Sequence, residues 1–201
     1  PKKKIRIGYF SADFRKHAVM YLIKGLFELH NKNQFDVYVY SLTSKEDELT
    51  NELKKNVDVF RNLSNISDEN AAFIAREDSL DIAVDLMGYT KNMRLSIFSL
   101  RVAPIQIAYL GYPGSSGSDC LDYLIADRII IPDKFKKFYS EKVIHMPNCY
   151  QCNDFNRKTS EKKFSKTELG LPKDSFVFAC FNANNKILSL IHISEPTRLG
   201  A

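Results

Sequence analysis

Residues 5–42, IRIGYFSADFRKHAVMYLIKGLFELHNKNQFDVYVYSL, decide the fold. Ile5–Phe10 is a β-rich run. Within Val19–His30, the residues Met20, Ile23, Leu26, Phe27 and His30 recur at helical spacing, and Phe35–Leu42 (FDVYVYSL) alternates. A strand, a helix and a second strand so close together form a βαβ unit, with parallel strands and a right-handed crossover. Further along, a polar helix is expected over Lys45–Val57. Another follows in SDENAAFIARED, where Ser67 is placed to cap and Asp68 and Glu69 suit the positive end of the helix dipole. Asp81–Leu86 reads as a strand, Met93–Arg101 as a helix closed by an Ala-Pro pair, Ile105–Leu110 as a buried strand, and Tyr123–Ala126 and Val143–Met146 as shorter ones. Strands alternating with helices predict an α/β fold with a Rossmann-like parallel sheet.

In such sheets ligands bind at the carboxyl ends of the strands. Three loops fall there: Ser11–His17 after the first strand, Met87–Thr90 after DIAVDL, and Gly111–Gly117 after IQIAYL. The third belongs to APIQIAYLGYPGSSG, Ala103–Gly117, whose three glycines let main-chain groups approach a ligand with no Cβ in the way. A tight surface turn held by Pro113 is the alternative reading of GYPG alone. His17, just beyond a strand and at a helix start, either exchanges a proton or donates to a phosphate or sugar oxygen, or serves as a plain cap. Thr90 offers a hydroxyl and Arg94 a partner for an acid, while Asp78, Asp81 and Asp85 read as solvated or capping carboxylates. His30 reads as a helix-face packing residue and His145 as one on a strand.

Composition narrows the function classes. The 201 residues are 44% apolar and 26% charged, enough for one substantial core. The net charge of +5 is spread through mixed segments such as DKFKK and EKKFSK, which argues against a nucleic-acid partner. No run approaches the roughly 20 apolar residues of a membrane span, and the lysine-rich start leads into strand instead of a signal-peptide block, so no membrane partner and a cytoplasmic location are expected. Cys149 and Cys152 form a single CYQC, with neither a second pair nor an HxxxH to complete a zinc site, and no metal is expected. The first strand leads into YFSADFRKH and not GxGxxG, which disfavours a nicotinamide-dependent dehydrogenase.

Four motifs in order, RIGYFSADFRKHAV, AVDLMGYTKNMR, SLRVAPIQIAYLGYPGSSGSDCLDYLIADRIIIP and YSEKVIHMPNCYQCND, resemble the catalytic region of the O-GlcNAc transferase and SPINDLY family of protein glycosyltransferases. The resemblance runs from Ile5 to about Ile187. It implies the N-terminal half of a GT-B architecture and inverting, metal-independent transfer of N-acetylglucosamine from UDP-GlcNAc to Ser or Thr of protein acceptors, with no cofactor beyond the nucleotide sugar. It also implies His17 as an active-site histidine, a substrate-binding wall of Thr90, Leu110, Gly111, Tyr112, Pro113 and Gly114, and Lys186 on the donor's pyrophosphate. Without the resemblance, Lys186 reads equally as a solvated lysine. The chain departs from the family pattern at Met87, where a polar residue is common, and at Ala183 and Asn185. Alternatives are protein O-fucosyl or N-glucosyl transfer on the same fold, or a module that binds acceptors without transfer.

The resemblance also partitions the chain. Residues 1–154 are expected to form the first Rossmann-like domain, 155–174 a charged linker, and 175–187 (SFVFACFNANNKI) the first strand and loop of a truncated donor-binding domain. LSLIHISEPTR, Leu188–Arg198, matches the translation of a sequencing-library adapter, so residues 188–201 are expected to be an artefact, and His192 and Ser194 are set aside. The family's helical repeats, of roughly 34 residues each, are expected upstream of Pro1, which makes the chain an internal piece of a longer gene.

Overall fold

A computed structural model describes residues 3–157, 159–179 and 181. The chain divides into two compact units, Pro1–Arg157 and Lys158–Ala201. The first is built on a seven-stranded sheet: β1 (Ile5–Ser11), β2 (Phe35–Ser41), β3 (Val59–Asn62), β4 (Ile82–Asp85), β5 (Ile105–Ala108), β6 (Tyr123–Ala126) and β7 (Lys142–His145). Their order across the sheet is β3-β2-β1-β4-β5-β6-β7, and every pairing is parallel. The expected α/β Rossmann-like parallel sheet is therefore what forms.

Alternation along the strands feeds two cores. Tyr9 and Val39 point into one with Met20, Ile23 and Phe27 of α1 (Ala18–Leu29) and Leu53 of α2 (Glu48–Asn56). Phe10 and Tyr40 point into the other, with Ala71, Ala72 and Ala75 of α3 (Asp68–Glu77) and Ile97 and Phe98 of α4 (Ser96–Ser99). Phe10 and Tyr40 stack at 4.3 Å. The helix starts are fixed locally. Asp47 and Thr50 make a reciprocal capping box for α2, and the Ser67 hydroxyl accepts from the Asn70 N–H, as its place before Asp68 predicted.

The structure shortens several expected elements. Helix Met93–Arg101 contracts to the single turn of α4. Asn92 adopts a left-handed φ of +68°, and the Arg94 side chain leaves the helix to bind the Leu63 and Ile66 carbonyls and Asp68. The strand ending at Leu86 stops at Asp85, whose carboxylate turns back to accept from the Met87 and Gly88 N–H groups, each at 2.9 Å. The strand ending at Leu110 stops at Ala108, two residues before Leu110 takes a φ of +66°. Edge strand β3 has no sequence signature, since VFRN carries too few residues to show alternation.

Parallel strands ordinarily need a crossover helix, yet Tyr109–Asp122 between β5 and β6 has none. That connection contains the glycine-rich run. Between β6 and β7 the chain makes a 3-10 turn, Asp133–Phe138.

In the second unit, a turn over Ser165–Leu171 is held by the Glu168 carboxylate, which accepts from the Ser165 N–H at 2.7 Å. Residues 176–179 carry no regular structure, and most of the expected donor-domain loop, Lys186 included, lies outside the described residues.

Candidate functional site

The strand order reverses between β1 and β4, and a crevice opens beyond their carboxyl ends. A cleft of about 220 Å³ lies there, lined by Asp13, Arg15, His17 and Val19 after β1, Leu86 and Thr90–Asn92 after β4, and Gly111 after β5. Three of the expected site residues, His17, Thr90 and Gly111, thus meet in one place. Asp13, Arg15, Lys91 and Asn92 join them, though no local pattern marks these four. A larger concavity of about 330 Å³ sits at the opposite edge, around the starts of β5–β7. The smaller cleft is the stronger candidate, because it stands at the switch point and holds convergent polar groups.

His17 occupies the N-cap of α1. Its Nδ1 accepts from the Val19 N–H at 3.3 Å and stands 3.4 Å from Asp13 Oδ2. One nitrogen serves one of these partners at a time in the neutral ring. When Nδ1 accepts from Val19, the proton is on Nε2, which then donates; when Nδ1–H faces Asp13, Nε2 carries the lone pair a base needs. The capping bond is made, and the same ring nitrogen stands within reach of Asp13 for the other tautomer. Thr90 donates its hydroxyl to the Met87 carbonyl at 3.0 Å, which leaves its oxygen lone pairs for other donors.

The glycine-rich wall is set by backbone contact. A Cβ on Gly111 would lie 1.8 Å from the Leu86 carbonyl oxygen, so the loops after β4 and β5 touch main chain to main chain. Tyr89 and Tyr112 pack edge to face at 5.7 Å, and the Tyr89 hydroxyl donates to the Ser116 carbonyl. Gly114 lies against the Tyr112 ring. Leu110 holds a left-handed backbone just before Gly111, a conformation that is costly for a branched side chain and concentrates at functional clamps. Pro113 is exposed at the tip.

The serines of this run face inward to an anchor. Buried Glu141, at the start of the β7 region, accepts from the Ser116 N–H and the Ser115 hydroxyl, each at 2.7 Å, and from the Ser116 hydroxyl. Burial pushes the Glu141 carboxyl up, and these hydrogen bonds together outweigh it and hold the group below its ordinary range. No local signal marks Glu141, because its partners Ser116 and Ser115 lie 25 and 26 residues away. Asp85 is shifted the other way: burial raises its carboxyl against the pull of its two backbone donors.

Two further sequence features have defined surroundings. The Met87 side chain is buried, with its sulfur 3.3 Å from both the Ser11 hydroxyl and the Ala12 N–H, so it ties the loop after β4 to the end of β1. Cys152 is half-buried against the α1-side core, where burial raises its thiol, and Cys149 is exposed. Among the described residues, no helix is long and apolar enough to cross a membrane.

The sequence model of glycosyl transferase family 41 matches residues 1–164. A probable UDP-N-acetylglucosamine–peptide N-acetylglucosaminyltransferase, SEC, from Arabidopsis thaliana is 37% identical over 90% of this chain and 19% of its own length. The UDP-N-acetylglucosamine–peptide N-acetylglucosaminyltransferase of Caenorhabditis elegans is 33% identical over 96% of this chain and 17% of its own. Among solved structures, a mutant of the Thermobaculum terrenum O-GlcNAc transferase superposes with a TM-score of 0.72 at 31% identity, covering 74% of this chain and 29% of that one. The chain thus spans about a fifth of the length of these curated relatives. With its sheet order, its switch-point cleft and this match over most of its length, the chain belongs to glycosyl transferase family 41, the family of the O-GlcNAc transferases and SPINDLY.

Proposed function

We propose that this chain is the acceptor-side half of the catalytic region of a protein O-GlcNAc transferase, moving N-acetylglucosamine from UDP-GlcNAc to a Ser or Thr hydroxyl. The observation that carries the reading is the convergence of the loops after β1, β4 and β5 on one cleft that contains His17, Thr90 and Gly111. The names of the relatives supply the donor and the peptide acceptor. In the reaction, the acceptor oxygen bonds to the sugar's anomeric carbon from the face opposite the nucleotide. The bond from that carbon to the phosphate oxygen breaks, UDP departs, and the acceptor proton passes to a base. His17 is suited to that step when Nδ1–H faces Asp13, and to holding a sugar or phosphate oxygen when Nε2 carries the proton. The glycine wall brings main-chain groups up to the sugar without side-chain bulk.

In this reading, residues 155–174 link to a donor-binding half that opens at 175–187, with Lys186 stabilising the departing diphosphate. Helical repeats precede the chain in the whole protein, which works in the cytoplasm without a metal. The test is sugar transfer by the full-length gene product, read by mass spectrometry on peptide acceptors with UDP-GlcNAc, UDP-glucose and GDP-fucose offered separately. Transfer of N-acetylglucosamine, lost on His17→Ala, is expected. Turnover with GDP-fucose or UDP-glucose in its place would refute the choice of sugar, and nucleotide-sugar binding with no transfer would leave an acceptor-binding module. Residues 1–187 alone are expected to give no turnover.

A further inference from the structure

Of the half-buried arginines in the first unit, Arg6 and Arg94 donate side-chain hydrogen bonds and Arg15 donates none. Arg61, Arg94 and Arg101 each commit their guanidinium to two or more hydrogen bonds with carboxylates or carbonyls. Arg15 is comparably sheltered, with its side chain 30% exposed, yet its nearest acid contact is a long 3.5 Å from a terminal nitrogen to Asp13 Oδ1. Its Nε is buried and has no partner, the one such side-chain atom among the described residues. A buried N–H left unmade is costly, and a guanidinium presents its donors as a rigid fork matched to two oxygens of one anion.

The surroundings favour an anion from outside. Arg15 lines the switch-point cleft beside Lys91, His17 and Asn92, and the one acid in that lining, Asp13, is also the carboxylate beside His17 Nδ1. Asp13 turns one oxygen to each neighbour, 3.5 Å from a terminal nitrogen of Arg15 and 3.4 Å from His17 Nδ1, and neither oxygen meets Arg15 Nε. The cleft therefore holds an excess of cationic donors, and the orphaned one belongs to the residue best shaped for a two-oxygen acceptor.

We propose that Arg15 is an oxyanion-docking residue of this cleft, its side chain turning on binding so that the sheltered Nε–H and a neighbouring terminal N–H donate together to a phosphate or carboxylate of the bound ligand. The inference rests on the proposed function only in naming the two sources of that group, the donor's diphosphate and an acidic side chain of the acceptor peptide. Arg15 acts by binding and takes no part in bond making.

The experiment is an NMR titration of the ¹⁵N-labelled chain, following the Arg15 Nε–H resonance. The probes are inorganic pyrophosphate and, separately, a capped glutamyl dipeptide. A saturable shift of that resonance with one probe is expected, together with its protection from solvent exchange. Arg15→Gln should weaken the same probe by about tenfold or more, and Arg15→Lys should recover only part, since it restores the charge without the fork. Preference for pyrophosphate assigns the subsite to the donor, and preference for the glutamyl probe assigns it to the acceptor. The proposal fails if neither probe moves the Nε–H resonance, or if Arg15→Gln binds both within twofold of the unaltered chain. Should Arg15→Gln not fold, the resonance of the unaltered chain decides alone. Sugar transfer is not read, so a failed transfer assay and a failed titration overturn different claims.

Discussion

Gly111→Ala tests whether the cleft wall depends on main-chain contact. The added methyl would begin 1.8 Å from the Leu86 carbonyl oxygen, 2.6 Å from its carbon and 3.2 Å from Met87 Cα. Backbone cannot swing aside as a side chain does, so the two loops must part by about 1.5 Å to reach ordinary contact. That displacement strains the Gly111 N–H bond to the Tyr109 carbonyl at 2.8 Å and the Tyr109 N–H bond to the Asp85 carbonyl at 2.9 Å. Overpacking of this kind costs about 1–3 kcal/mol, and each weakened hydrogen bond adds about 1 kcal/mol, for a total of about 3–5 kcal/mol. Gly117→Ala is the internal control: nothing lies within 4 Å of its Cβ, and only the left-handed φ of +61° is penalised, at about 1 kcal/mol. Urea unfolding followed by far-ultraviolet circular dichroism measures both variants, and an unchanged slope shows that the folded states are comparable. If Gly111→Ala proves no less stable than Gly117→Ala, the interlocking of the two loops is not what shapes the wall.

Four other changes separate support from chemistry. His17→Asn keeps a good N-cap for α1 but removes the imidazole; helix stability should hold within about 0.5 kcal/mol while transfer by the full-length protein falls by about a hundredfold or more, read by thermal melting and initial rates. Glu141→Gln should cost about 2 kcal/mol, because an amide N–H₂ then confronts the donors of Ser115 or Ser116. The Glu141 carboxyl is depressed in the folded state, so its contribution is present above the ordinary glutamate range and lost as pH falls through its lower folded value; melts between pH 3 and 7 should show a shallower acid loss in the variant. Asp85 runs the opposite way, its raised carboxyl favouring the folded state when protonated, so Asp85→Asn should steepen the same acid limb. Met87→Leu should cost about 1 kcal/mol through the lost sulfur contacts and leave transfer unchanged, which calorimetry and the peptide assay together would show.

The fold was legible because its signals are local. The periodicity of Val19–His30 needs only its own turn to show a buried face, and Tyr123–Ala126 formed with the limits its sequence indicates. Three-loop convergence was also readable, since strand ends and sheet handedness place loops on one rim whatever their sequences. What stayed hidden depends on distant partners. Arg94 abandons a helical role for carbonyls 28 and 31 residues upstream, and the serines after Pro113 turn inward because Glu141 waits beneath them. Asp13 and Arg15 stood in a quoted motif yet carried no local mark, because an unspent donor becomes visible only once every neighbour has been placed.

The sheet order has a consequence for how the chain is made. β1 is finished first and lies beside the central strand, but that strand, β4, emerges about 75 residues after it, several seconds later at typical synthesis rates. During that interval β1–β3 can assemble against α1 and α2, while the far edge of β1 and the faces of Phe10 and Tyr40 await α3, α4 and β4. A nascent chain at this stage presents an unpaired apolar edge and is a natural client for a chaperone. Closing the β1–β4 seam ends that exposure and creates the cleft in the same event. Ligand binding at the cleft therefore reports that the centre of the sheet has closed.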